Sequence, residues 1–377
     1  MPPKPIRVLA LSPIPEEGAG CRFRIAQFIP YLESVGISVT LNSLFTPEFF
    51  RLVYRRGHYL RKAVTFAALS ARRLDSLREA PQFDLIFIYR EIFPIGPAMI
   101  ERLLARRRRP PIVFDFDDAI FLPSVSDANR LIGALKRPQK VASIIRGSRH
   151  VIAGNEYLAA YARRFNPDVT MIPTCVDTER FVPRTDPASK KEPPAAGSLV
   201  VGWIGSPTTA SYIRSLAGVL QRVRDRRPFT LRVSGTGGPF ELPGLAVDNL
   251  TWSLDREVEL FNTCDVGVYP LADDEWSKGK CGFKAIEFMA CGVPVVAAGV
   301  GVNREIIQDG ENGFLASTDD EWVDKLTRLL VDPELRRRFA AAGRRTVEER
   351  YSLHTNAPKF AATLRAVAEG QSTSREG

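Results

Sequence analysis

The sequence is poor in cysteine, and this scarcity argues against a disulfide-stabilised fold and against a structural zinc site. Only five of the 377 residues are cysteines, an odd number, and no two of them form a C-x-x-C pair. An odd number of scattered cysteines argues against a disulfide framework, the missing C-x-x-C pair argues against a structural zinc site, and both features are typical of a reducing compartment. The five are Cys21, Cys175, Cys264, Cys281 and Cys291.

Long apolar runs are also missing. No stretch approaches the ~20 apolar residues that a helix needs to cross a bilayer. The N-terminal segment MPPKPIRVLALSPIP has an apolar core too short for a secretory signal peptide, and it predicts a first β-strand instead. We therefore expect a cytoplasmic protein without a membrane-spanning segment.

Positive charge is what the chain has in excess, and it lies in the first half. The chain has 52 lysines and arginines against 43 acidic residues, and residues 1–185 hold 28 basic and 17 acidic ones. Basic residues interleave with Leu, Val and Tyr over residues 51–62, and further ones stand at 72–73 and 106–109. Such a mixture is typical of a face that rests on anionic lipid, and nucleic acid is the other common partner. A solvated basic face without a partner has the same composition, and no nucleic-acid-binding signature accompanies it.

The first half begins with a strand, a helix over residues 25–35 and a second strand. The loop before this helix contains Gly18 and Gly20, but it lacks the third glycine and the acidic strand-end residue of a dinucleotide-binding fingerprint. Arg22 and Arg24 follow, and they either contact a phosphate or an acceptor or simply face solvent.

Carboxylates cluster after a later buried strand of this half. The apolar segment 111–120 delivers Asp115, Asp117 and Asp118 at its carboxyl end. Ligands of open α/β sheets bind at that edge, so Asp117 or Asp118 is a candidate acceptor-orienting group or general base. Helix capping or another structural role is the alternative.

A segment rich in proline, alanine and charge separates the two halves. Residues 186–197, DPASKKEPPAAG, have no hydrophobic periodicity and predict an interdomain linker. A second α/β domain follows, in which Gly205 and Ser206 form one loop and Gly235 belongs to a glycine turn after a further strand. Glycine-containing loops at strand ends let the backbone approach a phosphate closely.

The most informative stretch begins at Lys278 and reads KGKCGFKAIEFMACGVPVVAAGVGVNREIIQDGENGFL. Gly282 precedes a short helix on which Lys284 and Glu287 share one face, and a buried strand follows. A helix N-terminus with Lys278, Lys280 and Lys284 attracts an anion, and a carboxylate one turn along can bind a ribose diol. The pattern favours a nucleotide diphosphate, although an ordinary surface glutamate beside solvated lysines has the same spacing.

Within this stretch, G-F-K-A-I-E-F-M-A-C-G-V-P-V-V and the following G-x-N-R-E-I-I-x-D-G-E-N-G-F-L resemble the donor-binding signature of family-four retaining glycosyltransferases, the group 1 type. The resemblance implies the α/β GT-B fold, in which two Rossmann-like domains turn their parallel sheets toward a central cleft. It implies an acceptor domain over residues 1–185, a donor domain over 198–351 and a C-terminal helix, 352–369, that packs back on the first domain. Residues 370–377 are expected to be a disordered tail.

The resemblance also implies the activity. A sugar would pass from a nucleotide-diphosphate sugar to an acceptor hydroxyl with retention and without a metal or cofactor, in the synthesis of surface polysaccharide or glycolipid. Glu287 falls on the family's ribose-binding glutamate, and Lys280 and Lys284 are the expected catalytic cations at the departing phosphate. The other expected donor contacts are Gly205, Ser206, Gly235, Lys278 and Gly282.

Two positions depart from the family pattern. The family's first signature glutamate is Gly279 here, so Glu275 or another loop residue takes its role, or the sugar is held differently. A histidine often follows an early strand of the first domain in this family. His58, His150 and His354 all lie elsewhere, which leaves that role open.

In the first domain, the resemblance implies that Gly20, Arg22 and Asp118 belong to loops at the cleft and that Asp117 is a candidate catalytic residue. The D-x-D spacing of Asp115 and Asp117 resembles the metal motif of the other major glycosyltransferase fold. Because the rest of the chain resembles GT-B enzymes, we expect no metal site.

The expected partners are a nucleotide sugar, a lipid-linked or glycan acceptor and an anionic membrane surface, but no nucleic acid. We expect the protein at the inner face of the membrane as a peripheral protein. Two alternatives remain. A nucleotide-sugar epimerase of the same fold would act on the donor without an acceptor, and a non-catalytic nucleic-acid-binding protein would bind in a salt-sensitive way.

Overall fold

The computed structural model describes residues 5–53, 55, 57–106, 110–123, 136–184 and 198–371. The chain divides into two compact units, Met1–Thr174 joined by Asn356–Gly377, and Cys175–Thr355. The predicted linker, 186–197, lies outside the described residues, as do most of the predicted tail and the arginines at 107–109. The proposed domain limits stay predictions, although Cys175 and the residues after it already group with the second unit.

The first unit contains a parallel sheet of six strands in the order β2-β1-β3-β4-β5-β6. The third and fourth strands are buried along their whole length, as expected for a parallel sheet that is covered on both faces. Ile86 pairs with Ile112 and Tyr89 with Asp115, so these two strands end at the same edge. The strands are β1 Ile6–Ser12, β2 Ile37–Ser43, β3 Leu85–Tyr89, β4 Ile112–Phe116, β5 His150–Ala153 and β6 Val169–Met171.

Helices connect these strands, and the first of them differs from the sequence expectation. A single helix was predicted over residues 25–35. The structure instead has a helix over Ala19–Arg24, a 3-10 turn over Ala26–Phe28 and a second helix over Ile29–Ser34. Pro30 stands in the first turn of the second helix, where its missing N–H is tolerated. The helices are α1 Ala19–Arg24, α2 Ile29–Ser34, α3 Pro47–Val53, α4 Tyr59–Ser76, α5 Met99–Arg106, α6 Lys140–Gly147 and α7 Glu156–Arg163, with 3-10 turns at Ala26–Phe28 and Leu77–Gln82.

The second unit is built on another parallel six-stranded sheet, in the order β12-β11-β10-β7-β8-β9. Its edge strand, Val247–Leu250, pairs with Leu231–Ser234 of the neighbouring strand. The strands are β7 Val200–Ile204, β8 Thr230–Ser234, β9 Val247–Leu250, β10 Val266–Tyr269, β11 Val295–Ala298 and β12 Phe314–Ala316.

Helices connect the strands of the second unit as well. The helix that begins at Pro333 ends at Thr346 and continues as a π-helical turn over Val347–Tyr351. None of the described helices is long and apolar enough to cross a membrane. The helices are α8 Ala210–Ser215, α9 Ala217–Arg226, α10 Glu257–Asn262, α11 Glu275–Lys278, α12 Phe283–Ala290, α13 Asn303–Ile306, α14 Asp319–Val331 and α15 Pro333–Thr346.

The last helix, α16 Leu353–Ala368, belongs to the first unit from Asn356 onward. Phe360 stacks on Phe28 with ring centroids 4.6 Å apart and meets Phe87 of β3 edge-on at 5.5 Å. Arg365 donates a hydrogen bond of 2.6 Å to the carbonyl oxygen of Val35. These contacts hold α16 against the core of the first unit.

Candidate active site

Two glycines stand after the carboxyl ends of the neighbouring strands β7 and β8. Gly235 has a φ of +90°, and a Cβ there would lie 2.1 Å from the carbonyl oxygen of Gly205. A Cβ on Gly205 would in turn lie 2.3 Å from the Trp203 ring. Both positions therefore require glycine, and they lie at the sheet edge where open α/β proteins bind ligands.

Ser206 makes hydrogen bonds within its own loop. Its N–H donates to Thr209 Oγ1 at 2.9 Å, and its hydroxyl oxygen lies 2.9 Å from Thr208 Oγ1. Both its N–H and its hydroxyl are thus engaged within the loop, and the contact of Ser206 with the donor stays a prediction.

The α12 helix is bounded by two left-handed glycines. Gly282 precedes it with a φ of +65°, and a Cβ there would lie 2.2 Å from Ile306 Cδ1. Gly292 follows it with a φ of +64°, which confirms the predicted left-handed residue just past the end of the helix. Glycine at position 282 therefore fixes where α12 starts. It also fixes the direction of the first N–H groups of the helix.

Glu287 is fully buried on α12 and is paired with Lys284. Lys284 Nζ lies 2.6 Å from Glu287 Oε2, and the two side chains are 23% and 0% exposed. The ammonium group also lies 5.4 Å from the ring centroid of Phe261. A buried carboxylate needs a counter-charge, and the i,i+3 spacing on one helix supplies it. The residues that the sequence assigned separately to phosphate and ribose are thus one ion pair.

The lysines just before α12 have more open surroundings. Lys278 Nζ lies 2.7 Å from Glu275 Oε1, with the two side chains 39% and 60% exposed, and this hydrogen bond raises the pKa of Lys278. Lys280 Nζ lies 5.5 Å from the centroid of the Trp276 ring. The segment from α11 into α12 therefore carries three lysines, and their contact with a diphosphate stays a prediction.

The first unit holds another group of charged side chains at the ends of β3 and β4. Arg90 Nη2 lies 2.7 Å from Asp117 Oδ1 and 2.6 Å from Asp118 Oδ2, and Tyr89 Oη donates to Asp117 Oδ1 at 2.9 Å. Burial alone would raise the pKa of Asp117. The charges of Arg90 and Arg24 and the hydrogen bonds from Arg90 and Tyr89 outweigh burial and lower this pKa, so Asp117 is held as an anion.

Arg90 has a backbone conformation that is unusual for a residue with a side chain. Its φ is +60°, and its N–H donates to the carbonyl oxygen of Asp115 at 2.7 Å. Left-handed residues of this kind cost of order 1–3 kcal/mol and concentrate at functional sites. The sequence analysis missed Arg90 as a site residue. The available signal was its place directly after a buried strand, at the carboxyl edge of the sheet.

The aspartates at the end of β4 are paired with arginines and do not form a set of metal ligands. Arg90 binds Asp117 and Asp118, and Arg24 binds Asp115. Across the described ranges, no group of three or more His, Cys, Asp or Glu side chains could hold a metal ion. Independence of the reaction from metal stays a prediction.

The prediction that Gly20 and Arg22 belong to a loop is wrong, because both residues lie in α1. A Cβ on Gly20 would lie 2.0 Å from the Tyr89 hydroxyl oxygen, so glycine is needed for Tyr89 to reach Asp117. Arg22 is 6% exposed and donates to the carbonyl oxygen of Glu17 at 3.2 Å. Their contacts with an acceptor stay predictions.

Arg24 does not face solvent either. It is 1% exposed, and it donates to Asp115 Oδ1 at 3.0 Å and to the carbonyl oxygen of Ile172 at 2.8 Å. Asp115 is 0% exposed, and burial raises its pKa to about 6 in spite of the arginine. This pair supports the strand ends from inside the first unit. The candidate site residues therefore form two groups, one in each unit.

The second group lies in a stretch that matches a known family. Residues 198–332 match the family model described as glycosyl transferases group 1. This stretch is similar to group 1 glycosyltransferase domains. It includes both glycine turns and the Lys284–Glu287 pair, and it confirms the resemblance drawn from the signature.

Two curated relatives have the same name. The chain is 32% identical over 207 residues to the D-inositol 3-phosphate glycosyltransferase of Stackebrandtia nassauensis, covering 47% of this chain and 44% of the relative. It is 30% identical over 196 residues to the protein of that name from Actinosynnema mirum, covering 46% of each. The match thus spans less than half the length of these relatives.

Solved structures share the fold over nearly the whole chain. Sucrose-phosphate synthase from Thermosynechococcus elongatus has a TM-score of 0.70 at 16% identity, covering 98% of this chain and 100% of that one. A glycosyltransferase from Rickettsia africae has a TM-score of 0.68 at 15% identity, covering 97% and 100%. Anabaena HepE, solved with UDP and glucose, has a TM-score of 0.64 at 19% identity, covering 96% and 100%. At these identities the likeness concerns the fold alone, and it confirms the predicted GT-B fold class.

Proposed function

We propose that this protein transfers a sugar from a nucleotide-diphosphate sugar to an acceptor hydroxyl. The main support is the buried Lys284–Glu287 pair at the start of α12, within the stretch that is similar to group 1 glycosyltransferase domains. The curated relatives are named as glycosyltransferases, and HepE, which shares the fold, was solved with UDP-glucose. A UDP-sugar is therefore the first donor to test.

The chemistry of such a donor suits the segment from Glu275 to Glu287. A diphosphate at the N-terminus of α12 would meet backbone N–H groups, the positive end of the helix dipole and the ammonium groups of Lys278 and Lys280. Glu287, paired with Lys284, would accept hydrogen bonds from the ribose diol. We propose Glu275 for the hydroxyls of the sugar, in place of the family glutamate that is Gly279 here.

The chemical step is the departure of the diphosphate from the anomeric carbon. Negative charge grows on the departing phosphate, and ammonium groups that are already in position stabilise it without reorganisation. We propose Lys280 and Lys284 for this role, with retention of configuration and without a metal. Because its pKa is lowered, Asp117 is a weak base and is better suited to orient an acceptor hydroxyl by accepting its hydrogen bond.

The acceptor that we propose is a lipid-linked or glycan hydroxyl at the cytoplasmic face of a membrane, in the synthesis of surface polysaccharide or glycolipid. The basic excess of residues 1–185 supports an anionic membrane surface as a partner. The anomeric configuration of the product, read by NMR, tests retention, and activity after chelator treatment tests metal independence. Donor incubated without acceptor separates transfer from epimerisation.

Glu287→Gln tests the proposal because it keeps the shape of the side chain and removes its charge. We expect transfer from the preferred UDP-sugar to fall by roughly 10²–10³-fold, comparable to the loss of one preorganised contact in an active site. The matched control is Glu334→Gln on α15, where the glutamate also pairs with a cation at i,i+3 but is 74% exposed. Equal transfer by both variants, at unchanged melting temperature, would contradict the assignment of Glu287.

A further inference from the structure

The α4 helix has an inverted distribution of side chains. Its only buried residues are two cations, Lys62 at 5% exposure and Arg73 at 1%. Its outward face carries large apolar side chains, with Leu60 at 80% exposure and Val64 at 62%. A surface helix of a soluble protein normally has the opposite arrangement.

Polar contacts explain how such a helix is held. Lys62 Nζ donates to the carbonyl oxygens of Val53, at 3.3 Å, and of Arg55, so it interacts with the negative carboxyl end of α3. Arg73 Nη2 donates to the carbonyl oxygens of Ser12 and Asn42, at 2.7 and 2.9 Å, at the ends of β1 and β2. Cations thus supply the fully buried contacts of α4, with Phe66 half-buried against Phe45, and several of its other apolar residues lie on the outer side.

The outward apolar residues form one continuous stripe along the helix. They follow the spacing i, i+4, i+7, i+11 and i+14, which keeps them on one face. Arg61 and Arg72, both exposed, lie beside this stripe. Over residues 51–76 the sequence has seven basic residues and one acidic residue, Asp75. The stripe consists of Leu60, Val64, Ala67, Ala71 and Leu74.

The next helix, α5, shares part of this arrangement, although it also buries the apolar Leu104. Glu101 is buried at 4% exposure and accepts a hydrogen bond from the N–H of Ile92, whereas Met99 and Leu103 are 68% and 48% exposed. The connections β2 to β3 and β3 to β4 cross the sheet in the same direction. Right-handed crossovers therefore place α4 and α5 on the same face of the sheet.

We propose that the outward face of α4, continued by α5, docks on an anionic lipid bilayer with its apolar stripe in the acyl boundary and its arginines at lipid phosphates. A helix that lies in the membrane interface combines an apolar face with flanking cations in this way. A second copy of the chain fits poorly, because it would bring two strongly basic faces together. Nucleic acid fits poorly as well, because the stripe is aliphatic and the exposed ring of Tyr59 lies at the start of α4, outside the stripe.

The full chain can be tested by co-sedimentation with phosphatidylcholine vesicles and with vesicles that also contain phosphatidylserine. We expect binding to the anionic vesicles only, weakened by salt. Leu60→Ser combined with Val64→Ser should lower the binding constant by about tenfold or more, and Arg61→Gln by about fivefold. The control is Val331→Ser, which removes a 57% exposed side chain from α14 in the other unit and should bind like the wild type.

A second measurement reports insertion directly. The native cysteines are all buried, so Leu60→Cys and Val331→Cys can each be labelled selectively with a polarity-sensitive dye. We expect a blue shift with anionic vesicles for the first and none for the second. Equal dye shifts at the two positions, or binding of the wild type to neutral vesicles, would overturn the proposal. So would unchanged vesicle binding of the Leu60→Ser, Val64→Ser double variant. Loss of a dimer or of RNA binding in this double variant would overturn it as well. Transfer in solution is a separate readout, so either proposal can fail without the other.

Discussion

Two lysine–glutamate pairs flank Gly282, one on each side of it in the sequence. The main difference between them is the burial of the glutamate. Lys278 and Glu275 are 2.7 Å apart, and Lys284 and Glu287 are 2.6 Å apart, both at i,i+3 spacing. Glu275 is 60% exposed, whereas Glu287 is 0% exposed. Distance and residue type therefore do not distinguish the two pairs, and burial must explain any difference in their roles.

Burial decides what each pair can do. Water screens an exposed pair and competes for its hydrogen bonds, so Glu275 can leave Lys278 at little cost and turn to a ligand. A buried carboxylate has no such freedom, because losing its partner would leave a charge in the interior. Glu287 is therefore suited to a fixed contact such as the ribose, and Glu275 to an adjustable one. The Arg24–Asp115 pair, buried on both sides, extends the series.

The largest effect is expected for Arg24→Met, which removes one partner of that fully buried pair. Asp115 would stay at 0% exposure without its cation, and Arg24 would no longer bind the carbonyl oxygen of Ile172. We expect the free energy of unfolding, measured by urea denaturation, to fall by about 3–5 kcal/mol.

Two further variants check this explanation. Arg24→Met combined with Asp115→Asn should regain a good part of the loss, because no buried charge is then left alone. Arg222→Met breaks a pair with Asp320 whose side chains are 47% and 86% exposed, and it should change stability little. A similar loss in Arg24→Met and Arg222→Met would show that burial does not set the strength of these pairs.

His150 in the first unit tests how burial affects a titratable side chain whose hydrogen bond is made with a neutral hydroxyl. It is 1% exposed in β5, its Nε2 lies 2.9 Å from Thr170 Oγ1, and burial lowers its pKa from 6.5 to about 4. The unfolded chain therefore binds more protons between pH 6.5 and 4. The stability from neutral His150 is fully present above pH 6.5 and is lost as the pH falls through about 4, up to about 3 kcal/mol.

The measurement is the difference in unfolding free energy between the wild type and His150→Gln as a function of pH. Taking the difference cancels groups common to both proteins, such as Asp115. We expect the advantage of the wild type to shrink between pH 7 and pH 4. A difference that stays constant over this range would mean that His150 titrates normally and that its burial has no electrostatic consequence.

Much of the fold could be predicted because its signals are local. The short helix predicted after Gly282 is α12, and the buried strand predicted after it is β11. The errors arise where a distant contact decides. Gly20 was read as part of a loop, yet it lies in α1, where Tyr89 packs against it.

The same distinction applies to the site. Lys284 and Glu287 are three residues apart, so helical spacing alone brings them together. Arg90 and Asp117 are 27 residues apart on different strands, and they meet because β3 and β4 are neighbours and Arg90 adopts a φ of +60°. No local pattern encodes strand order or a strained dihedral angle, so the Arg90 cluster could not be assembled from the sequence.

The smallest effect on stability is expected for Glu275→Gln, and it gives the sharpest test of the comparison. The change removes the charge from an exposed side chain, so the melting temperature should stay the same. If Glu275 binds sugar hydroxyls as proposed, the kcat/KM for the donor should fall by about tenfold, because a hydrogen bond to a charged group is lost. Glu334→Gln on α15, where the glutamate is also exposed and also paired at i,i+3, should leave both quantities unchanged. A lower melting temperature would mean that the exposed pair is structural after all, and unchanged kcat/KM would assign the sugar to another residue of the loop.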